Sequence, residues 1–356
     1  MVSTRLVTRI VQCLGAVGLP ATRPQLYDLA LLCYALAFSS SCHLASLALL
    51  LPLTGQRESL VQRLRRYLKN PRLAPVQCYA PVMRYILSHW SGREICLVLD
   101  RTDIQDRWSI LLLGICYRRR VLPLTWQVLR FGGTGAAEQL PLLQRVQPYL
   151  PAHTRVCFYA DSEFRAIAVQ AWCQQHAWHW QIGLHNDLSY RIGVDPWQPL
   201  KTLALQPGEH RYLQNVYLQQ QQVFGPVNLI AYWPPKQPGP RYWALDLPAN
   251  TQAWRRGRKR YWVEPIFRDW KSYGFDLETT QITDPVRQDK LLLAMALTTL
   301  WMIHVGEWVT RNGRSRELSA SDRSEYSLFR LGRDYLQRAR ALDLHIPVGL
   351  SVAGAP

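Results

Sequence analysis

"EICLVLDRTD", residues 94–103, has the pattern of a β-strand that is buried on both faces. Apolar side chains fill both faces after Glu94, and Asp100 is the first charge to follow them. A second apolar run, "RVCFYAD" at 155–161, also ends in an aspartate, Asp161. Strands apolar on both faces are typical of the centre of a helix-covered sheet. The pattern therefore predicts two central strands, each closed by an aspartate.

The segments around these two strands predict an α/β fold with a mixed sheet flanked by helices. Residues 108–129, "WSILLLGICYRRRVLPLTWQVL", are expected to form two strands joined at the basic turn Arg118–Arg120. Helices are predicted near 138–149 and 165–176, and "WHWQIGLH" at 178–185 is a fifth strand. Three strands, helix, strand, helix, strand is the order of a mixed sheet with helices on its faces.

The first ninety residues are predicted to form a helical domain that binds DNA. Helices are expected over 25–38, 41–51 and in "ESLVQRLRRYLKN" at 58–70, followed by a linker marked by prolines at 71, 75 and 81. In the third helix Arg63, Arg66 and Lys69 form a basic stripe opposite the leucines. A core helix with a solvated face is the alternative reading.

Four further segments complete the predicted organisation. Residues 91–189 are the first part of a catalytic core, and 190–252, rich in Tyr, Gln, Val and Pro, are a β-rich insertion. Residues 253–310 return to the core and carry a helix with Glu264. An amphipathic helix is expected over 287–305 in that segment. Residues 311–356 are a C-terminal helical region, with a helix expected over 326–341. Eight arginines against four acids between Arg311 and Arg340 leave open a contact with DNA, a second subunit or solvent alone.

The charge balance favours a polyanionic partner. The chain of 356 residues has 42 Lys and Arg against 25 Asp and Glu, a net charge of +17. Nucleic acid is the simplest partner for so basic a protein, and a membrane surface is the competing one. The longest uninterrupted apolar stretch, 291–303, is shorter than the roughly 18 to 20 residues that a membrane span needs. Eight scattered Cys without a CxxC pair fit a reducing cytoplasm.

The acidic residues predict a metal site at one edge of the sheet. If the strands that end in Asp100 and Asp161 are parallel neighbours, both carboxylates emerge at the edge where α/β sheets place their sites. Two such carboxylates repel each other unless a cation lies between them, and Glu264 is the expected third ligand. Oxygen ligands suit two Mg²⁺ or Mn²⁺ ions. Asp103 or Asp106 in place of Asp100, and Glu163 in place of Asp161, are weaker alternatives, and helix capping is the structural one.

A strongly basic segment surrounds Glu264. Five of the six residues from Arg255 to Arg260 are cationic. On a regular helix Arg260, Glu264, Arg268 and Lys271 would share one face, at spacings of four, four and three. Arg258 and Lys259 add charge beside them. The expected role of these cations is to hold DNA phosphates next to a metal ligand; ordinary i, i+4 ion pairs are the alternative.

These motifs resemble those of the DDE transposases of bacterial insertion sequences, and within them the insertion-sequence-four group. The signature Y-(2)-R-(3)-E-(6)-K of that group is matched by "GRKRYWVEPIFRDWK", residues 257–271. Arg260, Glu264 and Lys271 stand at the R, E and K positions, and Gly257 replaces the tyrosine. "LVLDRTDI" and "FYADSEF" resemble the group's first and second aspartate motifs.

The resemblance implies a ribonuclease H-like fold, with the β-rich insertion between Asp161 and Glu264. It implies a cytoplasmic, nucleoid-associated homodimer without a membrane segment, which cuts DNA at the terminal inverted repeats of its element and joins it to target DNA. In many members of the group the cut passes through a hairpin. In such enzymes a tryptophan of the insertion stacks on a flipped base, which points to Trp233 or Trp243. An inert transposase-derived DNA-binding protein and a nuclease that cuts without joining are the alternative functions.

Overall fold

A computed structural model of the chain describes residues 2–90, 94–318 and 326–351. Within these ranges ten strands form one sheet in the order β3-β2-β1-β4-β5-β10-β9-β8-β6-β7. The strands are β1 Glu94–Ile104, β2 Trp108–Tyr117, β3 Arg120–Arg130, β4 Arg155–Ala160, β5 His179–Leu184, β6 Ser189–Ile192, β7 Gln198–Pro199, β8 His210–Leu218, β9 Phe224–Tyr232 and β10 Arg241–Leu245. The predicted order of the first five strands and their two helices is confirmed.

The sheet is mixed, and its central strands are parallel. β4 pairs in parallel with β1 on one side and with β5 on the other, whereas β2 and β3 follow as antiparallel hairpins. Beyond β5 the strands of the predicted β-rich insertion are added antiparallel, starting with β10. The insertion therefore extends the same sheet. Its last strand, β10, pairs with β5 and is followed in the chain by the segment that carries Glu264.

Eleven α-helices surround the described part of this sheet. They are α1 Val2–Val17, α2 Arg23–Phe38, α3 Leu44–Ala48, α4 Arg57–Lys69, α5 Pro75–Ser88, α6 Ala136–Val146, α7 Ile167–Gln175, α8 Thr251–Gly257, α9 Glu264–Arg268, α10 Pro285–Arg311 and α11 Leu328–Ala341. One continuous apolar core joins the N-terminal helices, the sheet and α10. The limits of the predicted domains stay a prediction, and their last segment falls partly on residues 319–325 and 352–356, outside the described ranges.

Three expectations for the N-terminal helices were wrong. The first helix, α1, was not predicted, and the expected helix over 41–51 is the single short helix α3. The segment read as a proline-marked linker forms α5. Pro75 stands in its first turn, where a missing N–H costs nothing, and Pro81 is accommodated further along. The apolar face of α5, including Tyr79 and Val82, is buried and supplies the energy that local propensity lacks.

Helix α10 is not amphipathic, contrary to the prediction. Nearly all side chains from Gln288 to Val309 are buried, because α11 and α2 cover it on different sides along with the sheet. Gly306 of α10 and Gly332 of α11 let the two backbones approach closely where the helices cross. By length and composition α10 is the one described helix that could cross a membrane, but 89% of the qualifying window is buried inside the protein. It is the core helix of this fold.

The segment that carries Glu264 is an irregular helix. A 3₁₀ stretch, Arg258–Val263, follows α8; then comes the short α9, and Asp269–Tyr273 form a π-helical turn. The sequence prediction of one regular helix with Arg260, Glu264, Arg268 and Lys271 on a common face was therefore wrong. Changes of winding shift the angular position of every following side chain. Arg260 and Glu264 still contact each other, whereas Arg268 lies over Tyr273 and Lys271 contacts Glu278.

Candidate active site

Asp100 and Asp161 lie side by side at the end of the parallel pairing between β1 and β4. The last paired residues of the two strands are Leu99 and Ala160, so the next residue of each strand is an aspartate. The expectation that Asp100 closes its strand was wrong. β1 continues to Ile104 against β2, and Asp100 lies opposite Leu112. Asp161 does end its strand and caps a 3₁₀ turn.

Backbone N–H groups fix the orientation of both carboxylates. Oδ1 of Asp100 accepts a hydrogen bond from the N–H of Arg101 at 2.8 Å, and Oδ1 of Asp161 accepts one from the N–H of Glu163 at 2.9 Å. The two Oδ2 atoms are left to face a common point. The guanidinium of Arg260 lies there, with Nη2 at 3.5 Å from Asp100 and 3.2 Å from Asp161.

Glu264 completes the acidic cluster from the other side of Arg260. It is the first residue of α9, and its Oε1 lies 3.7 Å from Nη1 of Arg260. The side chain of Glu264 is 63% exposed, whereas those of Asp100 and Arg260 are 10% and 16% exposed. One guanidinium thus bridges the three predicted catalytic acids, at the boundary between the sheet edge and solvent. We call Asp100, Asp161 and Glu264 the carboxylate cluster.

The buried member of the carboxylate cluster is hard to ionise. Burial raises the pKa of Asp100 to about 7, and the negative charges of Asp161 and Glu264 act in the same direction. Arg260 and the N–H of Arg101 lower the pKa but do not offset the burial. A second cation at this point would favour the ionised form of all three acids.

The residues of the carboxylate cluster fit a hard divalent cation by their chemistry and direction. All the donors are carboxylate oxygens, which Mg²⁺ and Mn²⁺ prefer, and one oxygen of each acid converges on the same positive group. Among the described residues no three His, Cys, Asp or Glu stand close enough together to ligate an ion as they are placed. Arg260 holds the central position, so the site fits a metal only when that side chain withdraws.

Asp103 and Glu163, two of the alternative metal ligands considered from the sequence, belong to a separate ion-pair network centred on Arg101. Its guanidinium binds Asp103 at 2.7 Å and Glu163 at 2.9 Å, and Glu163 also accepts hydrogen bonds from Thr134. Arg101 and Asp103 alternate with Asp100 along β1 and so lie on the opposite face of the strand. Asp106 is exposed in the β1–β2 turn. This network braces the loop that follows Asp161.

The cations of the Glu264 segment are distributed over several sites. Apart from Arg260, Lys259 contacts Glu94 at the start of β1, at 3.5 Å, and Lys271 contacts Glu278 at 3.1 Å. Arg258 is exposed and stacks over Trp254. Arg268 is exposed and stacks over Tyr273.

The basic stripe of α4 is partly used inside the protein. Arg63 forms an ion pair with Asp28 of α2 at 2.8 Å and lies over Tyr27. Arg66 and Lys69 are exposed. The prediction that this helix contacts DNA therefore depends on the last two side chains.

An aromatic cavity of about 220 Å³ opens beside Gly257, at the start of the Glu264 segment. We define it by its rings, Tyr232, Trp243, Trp254 and Tyr261. Trp243 is thus the predicted tryptophan that reaches this cavity. Trp233 does not line it and donates its indole N–H to the carbonyl of Gln237.

Sequence reasoning missed Trp254, Tyr232 and Tyr261 as members of the aromatic cavity. They come from the segment before Glu264 and from a strand of the insertion. Only the position of Trp254 and Tyr261 next to the signature residues could have pointed to them. Arg241, whose guanidinium donates to the hydroxyl of Tyr261 at 3.0 Å, carried no sequence signal.

The comparisons with known proteins identify a structural relative. No protein-family model matches the chain, and no curated protein matches its sequence. Among solved structures the fold is similar to that of a piggyBac transposase, determined as a synaptic complex with hairpin DNA. The TM-score is 0.50 and the identity 11%, over 95% of this chain and 79% of the other. The large mixed sheet with its helices is thus a transposase-like fold.

Proposed function

We propose that this protein is a DDE transposase with a ribonuclease H-like core, which cleaves DNA and joins the cut end to a new site. The observation that carries the proposal is the convergence of Asp100, Asp161 and Glu264 on Arg260. Three acids from separate segments, each directed at one cation, are more than helix caps or surface ion pairs require. The structural likeness to the piggyBac transposase supports the proposal. Membership of the insertion-sequence-four group rests on the sequence motifs.

The carboxylate cluster would hold two Mg²⁺ or Mn²⁺ ions. Bound there, such ions supply Lewis-acid activation of the attacking and leaving oxygens of a phosphodiester. The N–H groups of Arg101 and Glu163 keep the free oxygens of Asp100 and Asp161 directed at the substrate. Arg260 leaves the cluster and pairs with a DNA phosphate, which offers its guanidinium two acceptor oxygens in place of the carboxylates.

The aromatic cavity would receive a base turned out of the DNA helix. A strand that bends into a hairpin must unstack a nucleotide, and Trp243 and its neighbouring rings offer a stacking surface for that base. Arg258 and Arg241 line the same cavity and supply positive charge for the adjoining phosphates. DNA ends paired by a homodimer in the cytoplasm are the expected substrate, and no membrane association is part of the proposal.

The experiment is a cleavage and joining assay with duplexes that carry the sequences flanking the gene, in Mg²⁺ and in Mn²⁺. Asp100→Asn, Asp161→Asn and Glu264→Gln are each expected to lower cleavage at least a hundredfold without changing DNA binding. Asp106→Asn, an exposed acid outside the cluster, is the matched control and should cut normally. Normal cutting by the three cluster variants would refute the assignment. Binding without cleavage would show an inert DNA-binding protein, and cleavage without joining a simple nuclease.

A further inference from the structure

A cleft of about 880 Å³, rich in arginine, adjoins the Glu264 segment and shares no lining residue with the aromatic cavity. Three parts of the chain build it: the β2–β3 turn, the end of α9 with the π-helical turn, and the start of α11. We call it the arginine cleft and define it by Arg118, Arg119, Arg120, Arg268, Arg330 and Arg333. The turn and the C-terminal arginines were two basic features of the sequence without an assigned role, and the fold brings them together.

The arginine cleft has more positive charge than its own acids compensate. Of its described lining residues only Asp269 and Asp334 are acidic. Asp269 is buried in a pair with Arg120, which also donates to Ser327 at 2.9 Å, and Asp334 lies 3.3 Å from Arg330. Arg118, Arg119, Arg268 and Arg333 form no ion pair with either acid within 4 Å. Like charges held this close together repel, and a bound polyanion removes that repulsion.

The backbone of the β2–β3 turn indicates that its arginines have a function. Arg118 and Arg119 are the two central residues of a two-residue hairpin, with φ angles of 44° and 63°. Such turns strongly favour Asn-Gly, because other residues are strained at positive φ. Two successive arginines are a costly choice for the turn itself. Strained residues of this kind concentrate at binding sites.

Two tyrosines give the arginine cleft a surface for stacking. Tyr273 is 69% exposed and lies under the guanidinium of Arg268, and Tyr326 lies under that of Arg330. Exposed rings next to arginines are the combination that binds unpaired nucleic-acid strands, in which bases stack and phosphates are neutralised. In regular duplex DNA the bases are stacked on each other within the helix, so they are not available to stack on these tyrosines.

The arginine cleft reaches the residue next to the carboxylate cluster in the chain. Pro265, which follows Glu264 directly, is one of its lining residues. A DNA strand with one phosphate at the cluster would have the cleft next to Glu264 available for its following nucleotides. We infer that the arginine cleft binds the unpaired DNA strand adjacent to the phosphate that is cut. This inference rests on the proposed function for the choice of DNA as ligand.

The test measures binding of fluorescein-labelled dT20 and of a 20-base-pair duplex by anisotropy, in EDTA and at several KCl concentrations. The double variant Arg118→Asn/Arg119→Gly removes two charges and installs the residues that the turn prefers, so folding is preserved. It should weaken dT20 binding roughly tenfold. The slope of log K against log salt should become shallower by about 1.4, since each single-strand phosphate contact contributes about 0.7.

Two further variants separate charge from stacking. Tyr273→Leu should weaken dT20 binding several-fold and leave the salt slope unchanged, because no charge is lost. The control Arg5→Gln/Lys201→Gln removes two exposed cations outside the cleft and should change dT20 binding little. Unchanged dT20 binding in the turn variant, or a loss confined to the duplex, would overturn the inference. Because no cleavage occurs in EDTA, this result is independent of whether the carboxylate cluster is catalytic.

Discussion

Gly257 packs directly against the side chain of Gln181. A Cβ placed on Gly257 would lie 2.1 Å from Nε2 of Gln181 and 2.6 Å from its Cδ, far inside van der Waals contact. Gln181 is itself buried in β5, with 6% of its surface exposed. The backbone at Gly257 is ordinary helical, so a larger residue is opposed there by the buried end of the Gln181 side chain and not by the φ angle. A larger side chain at position 257 therefore needs Gln181 to move.

We expect Gly257→Ala to destabilise the protein by about 1 to 3 kcal/mol, the usual cost of overpacking a buried site. Gln181→Ala should remove most of that penalty, so the double variant is more stable than the sum of the single changes predicts. The measurement is urea unfolding of the two single variants and the double variant. Gly133→Ala, where a Cβ would meet nothing within 4 Å, is the control. Additive effects of the two substitutions would show that the contact is not the cause.

On the proposed function, Arg260 and a metal ion would compete for the same three oxygens. Replacing Arg260 by Gln leaves the carboxylate cluster without its compensating charge, so the variant should bind Mn²⁺ at least tenfold more tightly than the wild type in calorimetry without DNA. Mn²⁺ should also raise its melting temperature more than that of the wild type. Arg268→Gln, which removes a cation that does not contact the cluster, should leave Mn²⁺ binding unchanged. Equal or weaker binding by the Arg260 variant would contradict this competition.

The raised pKa of Asp100 makes the stability of the metal-free protein depend on pH. The ordinary pKa is 3.8 and the pKa in the fold is about 7, so the fold favours the protonated acid. The contribution of protonated Asp100 to the free energy of unfolding is complete below pH 4 and is lost as pH rises through 7. Relative to Asp100→Asn, which cannot ionise, the wild type should lose about 2 to 3 kcal/mol between pH 5 and pH 8.

Urea unfolding in EDTA at several pH values measures this difference between wild type and Asp100→Asn. Asp106→Asn, a change at an exposed acid, should track the wild type across the same range. If the difference between Asp100→Asn and the wild type is independent of pH, Asp100 is ionised throughout and the burial argument is wrong.

The sheet and its two aspartates were predictable because a buried strand has a recognisable run of apolar residues in the sequence. Strands covered on both faces must be apolar throughout, so the first polar residue marks the edge, as at Asp161. The rule failed for the end of β1, since β2 is longer than β4 and holds the strand together beyond Asp100. The helical N-terminus was less predictable, because α5 owes its formation to burial of one face and not to its proline-rich sequence.

Contacts between distant segments had no such pattern. The position of Arg260 among three acids depends on how a 3₁₀ stretch directs one side chain, and helical periodicity assigned it to a regular face. The arginine cleft joins Arg118 and Arg119 to Arg330, more than two hundred residues later. No sequence pattern in either segment predicts contact with the other, and only the positive charge of both segments was apparent from the sequence.

The crossing of α10 and α11 gives a final prediction, about the support of the arginine cleft. A Cβ on Gly332 of α11 would lie 1.8 Å from the carbonyl oxygen of Met302, which belongs to the helical backbone of α10. Gly332→Ala must therefore push the helices apart and should cost at least 2 to 3 kcal/mol in urea unfolding. Since α11 carries Arg330 and Arg333, dT20 binding should weaken as well. Gly15→Ala, in an open part of α1, should instead be neutral or slightly stabilising. A Gly332→Ala protein as stable as the wild type would mean that the helices do not cross this closely.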